Sequence, residues 1–118
     1  MKTRDQLLAS HCVAAATAMS EEAVAQQLEV IDQWTFADDA LTRTYRFENY
    51  YETIAFVNAL AYLVHREDHH PELRVSYSSC EVRYNTHSIN GISQNDFISA
   101  AKTDALYLSA HFGRAARA

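Results

Sequence analysis

The sequence predicts an α+β domain in which a four-stranded antiparallel sheet is covered on one face by three helices, in the order α-β-β-α-β-β-α. Two segments, 34–47 and 73–86, alternate apolar and polar residues on both sides of a short polar turn, which is typical of hairpins. Three other segments place apolar residues at helical spacing, each behind a residue that can cap a helix. Because hairpin strands pair antiparallel, we expect the helices to cover one side of a single sheet.

The first half of the chain is predicted to hold a helix and a hairpin. Ser20 can cap a helix that runs to about Asp32, since its hydroxyl is followed by two glutamates at the positive end of the helix dipole. The hairpin follows at 34–47, with Asp38 and Asp39 in its turn and Arg43 as the exception to its apolar alternation. Residues 1–19 show little pattern and are predicted to be a tail, and residues 114–118 a second one, so that 20–113 form a single domain.

The long helix is predicted from Asn49 to Asp68, and Pro71 prevents its continuation. It carries two apolar stripes where a surface helix needs one. We therefore expect one stripe to face the sheet and the second to remain exposed for a partner subunit. The first stripe comprises Phe47, Tyr50, Ile54, Val57, Ala61 and Val64, and the second comprises Phe56, Leu60 and Leu63.

The second hairpin is predicted to turn at Ser78 and Ser79, with His87 at its end pointing away from the apolar face. Ser93 and Asp96 have the spacing of a capping box, which opens the last helix. Gly113 is a natural end for that helix.

Composition excludes several classes of function. The 118 residues fit one domain, and a net charge of −5 argues against a nucleic-acid-binding surface. No segment has the roughly 18 unbroken apolar residues that a membrane span needs. The two isolated cysteines indicate neither a disulfide framework nor a zinc ribbon, so a cytoplasmic location is expected.

Four of the six histidines, namely His65, His69, His70 and His87, are candidates for chemistry. His65 and His69 are four residues apart, as in helical metal-binding pairs. No cysteine or carboxylate has a convincing spacing for a third ligand, although His87 or Asp96 could fold back to the pair. Each histidine also has a structural interpretation, at a helix end, in a turn or at a strand end. A third interpretation is acid/base catalysis without metal, since imidazoles exchange protons near neutral pH.

A resemblance favours the acid/base interpretation. His65, the triplet His69-His70-Pro71, Tyr77, His87 and Asp96 have the spacing that characterises pterin-4a-carbinolamine dehydratases. The segments "YRF", "FVN" and "THSINGISQNDFISAAKTD" are also similar to that family, and the resemblance spans about residues 20–108.

The resemblance implies an enzyme that removes water from a small pterin substrate, needs no metal or redox cofactor, and self-associates as a dimer or tetramer. His69 and His87 would transfer protons, while His70, His65 and Asp96 would bind or orient the substrate. Many family members have an acid where this chain has His65, so one ring contact would differ. The alternative is an interaction protein of the same fold, since members of this family also act as coactivators or assembly factors.

Overall fold

The structure, a computed structural model, describes residues 1–110 and confirms the α+β prediction. Its strands form one antiparallel sheet in the order β1-β2-β4-β3, which places β2 and β4 at the centre. The predicted end of the last helix at Gly113 and the tail 114–118 lie outside the described residues. The elements are α1 Arg4–Ala9, α2 Glu21–Leu28, β1 Thr35–Ala37, β2 Ala40–Arg46, α3 Tyr50–Glu67, β3 Glu72–Val75, β4 Ser79–Tyr84, a 3-10 turn His87–Ile89, and α4 Gln94–Ala110.

The register of the sheet follows from its turns and its apolar alternation. Asp38 and Asp39 connect β1 to β2 with φ angles of 51° and 62°, and positive φ at both central residues matches the twist of a two-residue hairpin. In the central pair, Tyr45 of β2 lies opposite Cys80 of β4. Both side chains are buried, so the alternating apolar residues share one face, which α3 and α4 cover.

Arg43, the exception to the alternation in β2, is explained by a buried carboxylate. Its Nη1 atom lies 2.6 Å from Oδ1 of Asp104 in α4, whose side chain is only 4% exposed. Trp34 donates its indole N–H to the same carboxylate, and the Tyr45 hydroxyl donates to it as well. An arginine on an apolar face therefore compensates a buried acid.

The two stripes of α3 are not divided into a buried and an exposed one as expected. Phe56 and Leu60 are fully buried, and the Phe56 ring packs 4.9 Å from that of Tyr45. The prediction that this second stripe is exposed for a partner is therefore wrong. Tyr50 is 47% exposed and Ala61 is exposed, so the first stripe reaches the surface at these two positions, while the rest of it is buried or partly buried. Helical spacing identifies both stripes, but aromatic packing against the sheet decides which one is buried.

Residues 1–19 are not the tail that the sequence predicted. Thr3 and Gln6 form a capping box at the start of α1, and Leu7 is fully buried against the core. Helix α1 packs on α4. Gln27 of α2 accepts a hydrogen bond from the Lys2 N–H at 2.9 Å and donates one to the Lys2 carbonyl at 2.8 Å. The capping pattern was present in the sequence, but the segment has too few apolar residues for a periodic signal.

Glu67, at the end of α3, holds the chain that follows α1. Its carboxylate accepts hydrogen bonds from the Cys12 N–H at 2.8 Å and from Nζ of Lys102 at 2.7 Å, and it lies 2.9 Å from Nδ1 of His11. Burial alone would raise the pKa of Glu67, but these three partners outweigh it and lower the pKa to about 2.

This arrangement predicts acid sensitivity. Because the folded pKa of Glu67 lies below its ordinary value of 4.5, the carboxylate's stabilisation is complete above about pH 4.5 and is lost as the pH falls towards 2. We expect Glu67→Gln to lower the free energy of unfolding at pH 7 and to flatten its decline below pH 4.5. Urea unfolding at several pH values measures both effects.

Glu29→Gln is the matched control, because it removes one carboxylate from an exposed position at the end of α2. Identical pH profiles for Glu67→Gln and the wild type would show that Glu67 does not tie the N-terminal segment to α3.

Candidate active site

The structure brings three of the predicted histidines to one cleft. His69 and His70 follow the end of α3, and His87 lies in the 3-10 turn beyond β4. The cleft has a volume of about 270 Å³. Its other lining residues come from the N-terminal segment, the end of α3, the chain after β4 and the first turn of α4: Val13, Ala14, Asp68, Asn85, Thr86, Ser88 and Asn95.

The local backbone explains why these histidines converge. Helix α3 ends at Asp68, which adopts the left-handed conformation with φ 53° and so turns the chain out of the helix. Thr86 pairs with Gly91 in an isolated antiparallel bridge, which closes the turn that carries His87. The rings of His70 and His87 lie with their centroids 6.3 Å apart. His87 is exposed, as expected, although it lies in a 3-10 turn and not at a strand end.

Asp96 lies beneath the cleft and fixes His69. Its fully buried carboxylate is 2.6 Å from Nε2 of His69 through Oδ1. Its other oxygen, Oδ2, accepts hydrogen bonds from the Thr86 hydroxyl at 2.8 Å and from the Ser93 N–H at 2.9 Å. A carboxylate only accepts hydrogen bonds, so Nε2 of His69 carries the proton and Nδ1 remains for chemistry.

The plane of the His69 ring is fixed by a second contact. Its ring stacks on Tyr84 of β4, with centroids 6.0 Å apart and only 9° between the planes. The Tyr84 hydroxyl is itself hydrogen-bonded to Thr103 of α4 at 2.9 Å, and burial raises the pKa of Tyr84. The tyrosine is therefore a rigid neutral surface for the histidine, and His69 has a defined position before any ligand binds.

The Ser93–Asp96 capping box forms in part. The Asp96 side chain accepts from the Ser93 N–H as predicted, whereas the Ser93 hydroxyl accepts from the Asn95 N–H. The same hydroxyl also lies 2.8 Å from Oγ1 of Thr86. Asp96 therefore opens α4 and orients His69 at the same time.

His65 is not brought into the cleft. It is exposed on the last turn of α3, and it is absent from the residues that line the cavity. Its backbone carbonyl accepts the Asp68 N–H that ends the helix. A histidine near a helix C-terminus is favoured by the dipole. The contact of His65 with a pterin stays a prediction.

The metal interpretation finds no ligand set in the described part of the chain. Within residues 1–110, no group of three or more His, Cys, Asp or Glu side chains is placed to hold a metal ion. Across the same residues, no helix is both long and apolar enough to cross a membrane.

Sequence reasoning missed the N-terminal contribution to the cleft. Val13 and Ala14 line it although they fall in the segment predicted to be a tail, and Asn95 of α4 lies beside them. The Thr3–Gln6 capping pattern was the signal that this segment is structured. Which cavity it lines depends on tertiary contacts.

A second, larger cavity of about 550 Å³ lies away from the histidines. Its walls come from α2, the β1–β2 hairpin and the chain before α4, and they are mainly apolar: Met19, Glu21, Val24, Ala25, Leu28, Phe36, Asp39, Asn90, Gly91 and Ile92. It contains neither a histidine nor a pair of hydrogen-bonded titratable groups. The smaller cleft therefore has the better arrangement for proton transfer.

Comparisons with known proteins show which family the chain belongs to. A sequence model of the family described as Pterin 4 alpha carbinolamine dehydratase matches residues 17–106. The chain is 47% identical over 110 residues to a Bdellovibrio bacteriovorus protein provisionally named pterin-4-alpha-carbinolamine dehydratase, covering 90% of this chain and 92% of the relative.

Two solved structures have a similar fold. A transcriptional coactivator/pterin dehydratase from Brucella melitensis superposes with a TM-score of 0.72 at 29% identity, covering 76% of this chain and 98% of that one. A pterin dehydratase-like protein described as a RuBisCO assembly factor in the alpha-carboxysome superposes with a TM-score of 0.52 at 23% identity, covering 62% of this chain and 84% of that one. The second likeness concerns the fold alone.

The hydrogen bonds around Asp96 predict a stability effect at Thr86. Thr86→Val keeps the shape of the side chain but removes a buried donor to Oδ2 of Asp96. We expect the free energy of unfolding to fall by about 1–3 kcal/mol, the usual cost of an unsatisfied buried polar group. Chemical denaturation followed by circular dichroism measures this change.

Thr44→Val is the control, since Thr44 is an exposed threonine in β2. Equal stability of Thr86→Val and Thr44→Val would mean that Thr86 is not needed to satisfy Asp96.

Proposed function

Because the chain belongs to the pterin 4 alpha carbinolamine dehydratase family, we propose that it removes water from 4a-hydroxytetrahydrobiopterin in the cleft of His69, His70 and His87. The observation that carries the proposal is the convergence of these histidines around a His69 ring that is already oriented by a buried carboxylate. The product would be the quinonoid dihydropterin, so the enzyme would serve to recycle the cofactor of aromatic amino-acid hydroxylases.

The reaction needs one proton donor and one proton acceptor. A protonated histidine gives a proton to the hydroxyl on C4a, and the C4a–O bond breaks as water leaves. A neutral histidine takes the proton from N5, and the N5 electron pair forms the N5=C4a double bond. Carbon, nitrogen and oxygen balance without any change in net oxidation state, so the step needs no electron carrier.

His69 and His87 are the proposed proton-transfer pair. Nε2 of His69 is occupied by Asp96, so its proton exchange with the substrate must pass through Nδ1. His87 is exposed and lines the same cleft, on a turn closed by the Thr86–Gly91 bridge. A donor and an acceptor held on different elements can act on two positions of one bound ring.

His70 is proposed to bind the pterin ring. Its own ring lies 6.3 Å from that of His87 and is tilted by 35°. Inserting a flat ring between two others needs about 7 Å, since each face requires roughly 3.5 Å. The pterin would therefore lie across the edges of these histidines and not between them.

The free cysteines, Cys12 and Cys80, fit a cytoplasmic enzyme.

The alternative is an interaction protein, and one feature favours it. The Brucella melitensis structure is described as a transcriptional coactivator as well as a pterin dehydratase. In this chain the exposed stripe of α3 includes Tyr50 and Ala61, and the edge strand β3 exposes Leu73 and Val75 to 37% and 40%. Such a surface fits self-association as a dimer or tetramer, and equally a protein partner.

The enzyme proposal is tested by turnover of synthetic 4a-hydroxytetrahydropterin. We expect the purified protein to accelerate dehydration without added metal. His87→Ala should lower kcat roughly 10²- to 10⁴-fold, the usual range for one acid/base group. Stopped-flow absorbance of the quinonoid product measures the rate.

His65→Ala provides the comparison, because it removes an exposed histidine outside the cleft. We expect its kcat to stay near that of the wild type. A rate that chelator abolishes and zinc restores would overturn the metal-free mechanism, and a wild-type protein without turnover would favour the interaction alternative.

The proposed self-association involves the exposed stripe of α3. We expect the wild type to sediment as a dimer or tetramer, with α3 facing its copy across a two-fold axis. Ala61→Glu should shift it to smaller species, because the axis brings the two new charges together. Phe56 and Leu60 are unsuitable positions for this test, since charges there would disrupt the core.

Ala55→Glu is the matched control, since Ala55 is also exposed on α3 but lies about 120° around the helix from Ala61. Sedimentation of the wild type as a monomer at micromolar concentration would contradict self-association.

A further inference from the structure

We propose that residues 11–14, here called the strap, form one wall of the substrate site and that Asn95 is the residue that positions them. This inference rests on the proposed function, since it assigns the strap to the same pterin cleft. The strap lies in the N-terminal segment, just before residues 17–106, which the family model matches.

Asn95 holds Val13 by two hydrogen bonds. Its Oδ1 atom accepts the Val13 N–H at 2.9 Å, and its Nδ2 atom donates to the Val13 carbonyl at 2.8 Å. One amide side chain thus satisfies both backbone groups of a single residue, as a neighbouring strand would. Asn95 is only 5% exposed, so a buried side chain fixes the position of this one residue.

Cys12 provides the second anchor of the strap. Its N–H donates to Glu67 of α3 at 2.8 Å, and its Sγ atom lies 3.4 Å from the Ser99 hydroxyl of α4. The strap is therefore tied to both helices that flank the cleft.

The side chain of Val13 suggests what the anchoring of the strap is for. Val13 is 61% exposed, yet it lines the cavity that contains His69, His70 and His87. An exposed valine on a loop needs no fixed position for stability, and here its backbone is fixed on both sides. A rigid apolar side chain at the edge of a polar cleft is suited to contact the face of a bound ring and to exclude water from it.

The first turn of α4 connects the strap with the proposed chemistry. Asn95 and Asp96 are adjacent and hold two different residues that line the cleft: Asn95 holds Val13, and Asp96 holds His69. The two walls of the site therefore have a common support. Because Val13 has no group that exchanges protons, we expect it to affect substrate binding and not the chemical step.

The first experiment measures turnover of 4a-hydroxytetrahydropterin by Val13 variants. We expect Val13→Ala to raise KM roughly 3- to 10-fold, with kcat within about twofold of the wild type. Val13→Asp should raise KM further, because a charge would face the pterin ring. Neither change should affect folding, since the side chain is exposed. Leu108→Ala is the matched control, because Leu108 is 67% exposed at the other end of α4.

The second experiment uses Cys12 as a reporter of the strap and does not depend on activity. Burial raises the pKa of the Cys12 thiol to about 11, so a closed strap should react slowly with a disulfide reagent at pH 8. We expect Asn95→Leu, which keeps the branching at Cγ but removes both hydrogen bonds, to accelerate labelling at least about tenfold. We expect 7,8-dihydrobiopterin to slow labelling of the wild type. A Cys12→Ala variant shows that the signal does not come from Cys80, which is fully buried.

The two proposals can fail separately. One result would overturn the strap's role and leave the dehydratase proposal intact. In that case both Val13 variants turn over normally with unchanged KM, and dihydrobiopterin does not change the rate of Cys12 labelling. Absence of turnover in the wild type, with Cys12 protected by dihydrobiopterin, would overturn the dehydratase and leave the strap as a wall of a pterin-binding site. If Asn95→Leu does not fold, the Val13 variants and wild-type protection still decide the question.

Discussion

A buried carboxylate must be surrounded by donors, and the candidate site is organised around this requirement at Asp96. The side chain is fully buried, so each of its oxygens needs partners to replace water. Oδ2 accepts hydrogen bonds from Thr86 and Ser93, which joins the end of β4 to the start of α4. Oδ1 is hydrogen-bonded to His69, which follows α3. Satisfying one acid therefore brings three separate parts of the chain to one point. The orientation of a candidate catalytic histidine follows from the same hydrogen bonds.

Asp104, about two turns further along α4, repeats this arrangement in the core. Its carboxylate binds the indole of Trp34 and the guanidinium of Arg43, and it also pairs with Arg4 at 3.5 Å. The two acids thus attach α4 to the sheet at Asp104 and to His69 at Asp96. A helix held at two points has little freedom to rotate or slide, so the geometry at its first turn is well defined. We infer that the core carboxylate contributes indirectly to the precision of the cleft.

The cleft combines one histidine that is held in a fixed position with two histidines that are exposed to solvent. His69 is held by Asp96 and stacked on Tyr84, whereas His70 and His87 lie at the surface on a turn and a short 3-10 segment. Proton transfer needs a fixed geometry, while substrate entry needs access from solvent. The arrangement satisfies both, because the buried network supports one histidine and leaves the others at the mouth. The exposed apolar residues on α3 and β3 lie outside this cleft.

Most of the fold was determined by the sequence on its own. Hairpin alternation, the capping residues Ser20 and Asn49, and Pro71 predicted the helices and strands of the main domain, because these are local effects of hydrogen bonding and backbone sterics. The spacing of His69, His70 and His87 also indicated one site, and the structure brings these three together. Tertiary structure alone decided which stripe of α3 is buried, since Phe56 packs against Tyr45, an aromatic residue of the sheet. It also decided that the N-terminal segment lines the cleft, because the groups that hold Cys12 and Val13 lie in the distant helices α3 and α4. The short segment has no periodicity that could reveal these partners.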